Sequence, residues 1–148
     1  AFDFDGIFTD GKVMVDQDGN ESVVCSRKDA LRFPELRKRG IDLIVISKER
    51  NSVVARRCEK MGVKRLQGVD DKLAVFKRLL EARGLSSEQT AFMGDDINDL
   101  ACMEFAGIAF TVADGHDKCK AAADNVTSRN GGDHAVREIC VLVLEARE

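Results

Sequence analysis

Short apolar runs alternate along most of the chain with segments whose apolar residues recur at i, i+3 and i+4, a pattern that predicts βαβ units around a mainly parallel sheet. Residues 1–4, 42–47, 64–66, 90–93 and 108–111 are the predicted core strands. Helical stripes lie between them: Val53, Val54, Cys58 and Met61 after Asn51 or Ser52; Leu73, Phe76, Leu79 and Leu80 after Asp71; Val136, Ile139, Cys140, Val143 and Leu144 after Asp133. Each stripe follows a residue whose side chain can accept from the first free N–H groups of a helix. Pro34 predicts the first turn of a helix running to about Arg39, where a missing N–H costs little. Ser86 and Gln89 have capping-box spacing, but residues 90–93 are too short and too β-prone for a helix, so a turn is predicted there.

Residues 12–25 break the alternation, reading as two alternating runs around Asp18-Gly19, a hairpin signal. A hairpin after the first strand stands outside a parallel sheet and is marginal in water on its own. It is expected to pack as a flap over the strand ends or, preferably, against another subunit. The predicted fold class is therefore α/β: a Rossmann-like doubly wound, mainly parallel sheet with helices on both faces and a β-hairpin insertion after strand 1.

A length of 148 residues suits one domain over 1–148, and 44% hydrophobic with 33% charged residues and one proline excludes a disordered chain. No apolar run approaches the roughly 20 residues that cross a bilayer, and no signal peptide precedes the first strand, so no membrane partner and a cytoplasmic location are expected. The chain opens inside an apolar stretch, Ala1-Phe2, so upstream residues are expected in the natural protein. A net charge of −3 with both signs interspersed argues against nucleic acid. Eight phenylalanines without Tyr, Trp or a basic stripe fit a core and not base stacking. Cys25, Cys58, Cys102, Cys119 and Cys140 are odd in number and form no C-x-x-C pair, which points to buried thiols in a reducing compartment. Without a secretion signal, the sequon Asn125-Val126-Thr127 carries no meaning.

Open α/β sheets bind ligands at the carboxyl ends of their strands, and the polar residues collect there: Asp3 and Asp5, Ser47, Lys72, and Asp95, Asp96 and Asp99. Five carboxylates at one edge repel one another unless a cation sits among them, and an all-oxygen site with room for water suits Mg²⁺. With Ser47 and Lys72 placed to hold a dianion, the set describes phosphoryl transfer. Asp3 would attack phosphorus, and Asp5 would protonate the leaving oxygen and then activate water. The i, i+2 spacing puts both side chains on one side if the strand continues extended, and Gly6 lets the backbone turn away.

Asp3-Phe-Asp-Gly-Ile-Phe-Thr-Asp-Gly11, Ser47, Lys72 and Gly94-Asp-Asp-Ile-Asn-Asp99 resemble the four motifs of the haloacid dehalogenase superfamily. The insert after the first motif, with Gly131-Gly132 and Ala135-Val-Arg-Glu138, is similar to one branch, the small tetrameric phosphatases of 3-deoxy-octulosonate 8-phosphate and related nine-carbon sugar acids. The resemblance implies a capless core, a homotetramer joined through the hairpins and closed by a neighbour's tail, and a phosphorylated sugar acid as substrate. It implies Asp3 as nucleophile, Asp5 as acid/base, Mg²⁺ on the Asp3 side chain, the Asp5 carbonyl and Asp95 with Asp96 and Asp99 in support, and phosphate on Ser47 and Lys72.

This chain departs from the eight-carbon pattern at Ser47-Lys48-Glu49, where Thr-Gly-Arg is usual, and Glu49 is closer to the nine-carbon branch. Lys28-Asp29-Ala30 replaces Arg-Asp-Gly, so Lys28 would stand for an arginine that reaches the sugar carboxylate without its bidentate fork. Glu49, Arg57 and Arg137 are further substrate candidates, and surface ion pairs are the plain alternative for each. Asp95 and Asp96 could equally cap the helix that follows, and Asp99 could lie on that helix's surface. His116 and His134 are lone loop histidines, with His134 the better candidate for function. The Ser-Lys-Glu-Arg stretch also resembles the tail domain of animal sialic-acid cytidylyltransferases, a non-catalytic oligomerisation module with eroded motifs; intact Asp3, Asp5 and Lys72 favour an enzyme. A response-regulator receiver shares the acidic pocket, but its phosphoacceptor follows the third strand and its lysine comes late, unlike this order.

Overall fold

The computed structural model describes residues 1–146. Strands β1 (Met14–Val15) and β2 (Glu21–Ser22) pair antiparallel as a hairpin, and β3 (Ile44–Ile46), β4 (Lys64–Leu66), β5 (Ala91–Met93), β6 (Ile108–Thr111) and β7 (Asn125–Val126) build the sheet. Residues 1–3 run through its middle: Phe2 bridges Val45 on one side and Met93 on the other, both in parallel. β4 flanks β3 outside, while β6 and β7 follow β5, all parallel. The chain thus leaves the centre in one direction to β3 and later returns to the other side for β5. That reversal of strand order is the switch point at which such sheets bind ligands.

Successive strand residues point to opposite faces, and the core divides accordingly. Val45, Met93 and Phe110 pack with α1 (Phe33–Lys38), α2 (Ser52–Met61) and α6 (Ala135–Glu145). Ile44, Ile46, Phe92 and Ala109 pack with α3 (Lys72–Arg83), α4 (Leu100–Phe105) and α5 (Asp117–Ala122). The doubly wound α/β fold expected from the pattern is the fold observed. All five cysteines are free, and four of them are buried.

Local chemistry explains most boundaries. Asn51 accepts from the Val53 N–H at 2.9 Å and opens α2; Asp71 accepts from the Ala74 N–H at 2.9 Å and opens α3. Both helices end at left-handed glycines, Gly62 and Gly84. Pro34 occupies the first turn of α1, and Ser87–Gln89 form a 3₁₀ turn whose Gln89 side chain accepts from the Ser86 N–H.

Four expectations need correction. The first strand stops at Asp3, because the Phe4 carbonyl already accepts from the Ile7 and Phe8 N–H groups in a turn, so extension of the strand is not what relates Asp3 to Asp5. The hairpin pairs over two residues per strand and not across 12–25, since the Asp16 carboxylate gathers Asp18, Asn20 and the turn around itself. α6 begins at Ala135 behind His134, at φ 70°, and Asp133 does not cap it. Short β7 and α5 were not predicted; each carries too few apolar residues to set a period.

Beneath the first turn of α6 lies Asp29, fully buried in a 3₁₀ helix, Asp29–Arg32. Its oxygens have no hydrogen-bond partner of good geometry among the described residues. Burial pushes its carboxyl up to about 6, against the pull of the Arg137 and Val136 N–H groups and of Arg57.

Candidate active site

Asp3, Ser47 and Asp95 end or directly follow three neighbouring strand segments, and Lys72 is the first residue of α3. Lys72, only 4% exposed, reaches Asp3 Oδ1 at 2.7 Å and Asp99 Oδ1 at 2.8 Å. Asp3 Oδ1 also accepts from the Phe4 N–H at 2.7 Å, which leaves Oδ2 unengaged. Asp99 is wholly buried and not on a helix surface: its second oxygen accepts from the Asp95 N–H at 3.1 Å. It thereby ties Lys72 to the turn that carries Asp95. That turn is held from beyond as well, since Thr111 Oγ1 donates to the Gly94 carbonyl at 2.7 Å and the His116 N–H to the Asp95 carbonyl at 2.7 Å.

The loop after Asp3 closes over the same point. Thr9 Oγ1 accepts from both the Gly6 and Gly11 N–H groups. Gly6, at φ 81°, has no room for a Cβ, which would overlap the Asp95 carboxylate. From the far end of the chain comes Gly131, where a Cβ would overlap the Gly6 carbonyl, and the Gly132 N–H donates to the Ile7 carbonyl at 2.9 Å.

Oxygens of Asp3, Asp95 and Asp99 lie within 4.8 Å of one another. Burial and then Asp99 push Asp3 up to about 8 despite Lys72; burial, Asp99 and Asp96 push Asp95 up to about 7. Burial alone would lower Lys72, but Asp3 and Asp99 outweigh it and hold the ammonium charged. Three carboxylates against one ammonium leave a buried negative excess, the condition a hard divalent cation relieves. Asp99 is already engaged through both oxygens, so Asp3 and Asp95 are the side chains that could ligate one. Asp5 is half-buried, and burial and then Glu49 raise its carboxyl.

A cavity of about 450 Å³ opens over this cluster, lined by Asp3, Asp5, Ser47 and Lys72, with Glu49 and Arg50 at its mouth. Lys72 and the Ser47 hydroxyl are the groups on its wall that could hold a dianion.

Comparison with known proteins agrees. The profile of the haloacid dehalogenase-like hydrolases matches residues 66–139. The 3-deoxy-D-manno-octulosonate 8-phosphate phosphatase KdsC of Escherichia coli is 34% identical over 146 residues, 98% of this chain and 78% of that one. The chain belongs to the haloacid dehalogenase-like hydrolases. A hydrolase of this family from Streptomyces avermitilis superposes with a TM-score of 0.90 at 41% identity, covering 93% of this chain and 79% of the other. The 3-deoxy-D-manno-octulosonate 8-phosphate phosphatase of Moraxella catarrhalis, solved with magnesium, phosphate and KDO, superposes at 0.93 with 34% identity, covering 98% and 84%.

Within this hydrolase the expected residues separate into two groups. Asp3, Asp5, Ser47, Lys72, Asp95, Asp99 and Glu49 come together. Asp96 is exposed and spends its side chain on the Ile97 N–H at 2.7 Å, the capping role and not a place in the cluster. Lys28, Arg57 and Arg137 do not line this cavity. Lys28 is exposed; Arg57 donates to the Ser26 carbonyl at 3.0 Å and neighbours Asp29, as does Arg137. His116 caps α5, accepting from the Lys118 N–H at 3.1 Å, and His134 stands 3.6 Å from Asp133. Sequence reasoning missed Asn98 and Asp70 as lining residues, although both sit inside or beside stretches already singled out. No helix among the described residues is long and apolar enough to cross a membrane.

Proposed function

We propose that this chain is a Mg²⁺-dependent phosphomonoesterase that hydrolyses a sugar-acid phosphate, of the octulosonate 8-phosphate or nonulosonate 9-phosphate type, through an aspartyl-phosphate on Asp3. The observation that carries the reading is the buried Lys72, 2.7 Å from Asp3 and 2.8 Å from Asp99, which holds by one oxygen a carboxylate that lines the cavity and has no hydrogen bond on its other oxygen among the described residues. Asp3 Oδ2 attacks phosphorus while Asp5 gives its proton to the departing sugar oxygen; the Asp3–phosphorus ester forms as the bond to the sugar breaks. Asp5 then takes a proton from water, whose oxygen attacks phosphorus, frees Asp3 and releases inorganic phosphate. Lys72 and Ser47 hold the phosphoryl oxygens through both steps. The Asp3 side chain, the Asp5 carbonyl and Asp95 would hold Mg²⁺, which would supply charge neutralisation for the nucleophile and the phosphoryl group.

The substrate class is supported by the relatives named above, and Glu49 at the mouth favours the nine-carbon sugars. A homotetramer joined through the hairpins is supported by Met14 and Val24, which are 72% and 79% exposed. The whole chain works as one cytoplasmic domain. The test is Mg²⁺-dependent phosphate release from octulosonate 8-phosphate, nonulosonate 9-phosphates and 4-nitrophenyl phosphate by wild type and Asp3→Asn. Expected are a preference for one sugar acid and a loss of at least about 10³-fold in kcat for the variant. No release from any substrate would support the oligomerisation module instead, and unchanged turnover by Asp3→Asn would remove Asp3 as nucleophile.

A further inference from the structure

A second cavity, of about 260 Å³, lies between the hairpin and the start of α2 and shares Asp5 and Glu49 with the first. The phosphoryl-holding groups Ser47 and Lys72 line only the first, so the second lies on the other side of Asp5. If Asp5 protonates the leaving oxygen, the group attached to that oxygen continues into this second space.

Its wall is largely apolar, with Phe4, Val13, Val23 and Val53, and carries Lys12 and two carboxylates from different elements, Glu21 and Glu49. Glu49 Oε1 accepts from the Arg50 and Asn51 N–H groups at 2.7 and 2.8 Å, so this side chain is fixed by its own turn. Glu21, on β2, accepts from Asn51 Nδ2 at 3.1 Å. The other end of that amide, Oδ1, is committed to the Val53 N–H at the start of α2, so the amide can face Glu21 only with its donor. Asn51 thus latches the hairpin to α2 and aims Glu21. Each carboxylate keeps one oxygen without a hydrogen bond among the described residues. Two such oxygens flanking one space accept from hydroxyl groups.

We propose that Glu21 is a specificity-determining residue: with Glu49 it forms a two-carboxylate compartment that takes the hydroxyl-bearing carbons next to the phosphate ester. This rests on the reading of Asp5 as the acid on the leaving-group side. Nothing in the sequence marks Glu21, because its partner Asn51 lies 30 residues away.

The experiment compares kcat/KM of wild type, Glu21→Ala, Glu21→Gln and Asn51→Ser on the preferred sugar-acid phosphate and on 4-nitrophenyl phosphate, whose leaving group offers no hydroxyl carbons. Expected for Glu21→Ala is a loss of about tenfold or more on the sugar phosphate with less than about twofold change on the aryl phosphate. Glu21→Gln keeps an acceptor and recovers part of that loss. Asn51→Ser retains a capping oxygen but loses the latch, and is expected to show the same substrate bias more weakly. Parallel losses on both substrates, or none on either, would overturn the assignment by reducing Glu21 to a structural contact. Because aryl phosphate turnover reports Asp3 and Asp5 chemistry independently, a failure of the phosphatase reading would appear in the wild type, and a failure of this inference only in the variants.

Discussion

The phosphoryl side of the site and its leaving-group side are built in opposite ways. Around Lys72 the contacts are buried and interlocked: Asp3 and Asp99 on the ammonium, Asp99 on the Asp95 turn, and the Thr111 hydroxyl and the His116 N–H behind that turn. On the other side, Glu21 hangs on a hairpin paired over two residues per strand, joined to the body by a side-chain contact at Asn51. Buried, over-determined groups fix what reaction can occur; an exposed insertion with few ties can change which molecule undergoes it without disturbing the first part.

The largest effect that separates the two sides is expected from Lys72. Lys72→Met leaves the buried carboxylates of Asp3 and Asp99 without their ammonium, so turnover should fall by about 10²–10³-fold on sugar and aryl phosphates alike. The metal-free protein should also lose on the order of 3 kcal/mol in denaturant unfolding. A loss confined to one substrate would mean that the phosphoryl side is not shared.

Next in size is the linkage between pH and the cation. Asp3 and Asp95 carry folded values of about 8 and about 7 against an ordinary 3.8. Between pH 4 and 8 the folded metal-free protein therefore binds more protons than the unfolded chain, and its stability falls as pH rises through that window. Mg²⁺ at about 100 times its Kd should restore about 2.7 kcal/mol at pH 8, a rise in melting temperature of roughly 5 to 10 °C, and much less at pH 5. Equal melting with and without Mg²⁺ at pH 8 would deny the acidic cluster its cation.

The smallest effect on chemistry belongs to the hairpin's outer face. Met14→Asp is expected to shift the assembly toward smaller species in sedimentation, while aryl phosphate turnover per chain stays within about threefold.

These two regions also differ in how far the sequence revealed them. β4 and β6 fall where the apolar runs predict, and α2 and α3 open on the side chains expected to cap them, because period and capping are local properties. Asp3, Asp5, Ser47, Lys72 and Asp95 were legible because their order along a βαβ chain places them at one sheet edge. Asp99 and Asp96 could not be told apart, since only the fold decides which carboxylate turns inward. Asp29 and Glu21 were illegible for the same reason: one gains its meaning from α6 more than a hundred positions on, the other from Asn51. The early end of the first strand follows from the turn at Phe4, which a run of alternating Phe and Asp does not announce.

The most direct test of the central claim is to trap the covalent intermediate. Wild-type protein would be acid-quenched during turnover of its preferred sugar-acid phosphate with Mg²⁺, treated with borohydride and mapped by mass spectrometry. The account predicts reductive modification at Asp3 alone, present only when substrate was added. Turnover that leaves Asp3 unmodified, or a label found on Asp5 instead, would contradict it.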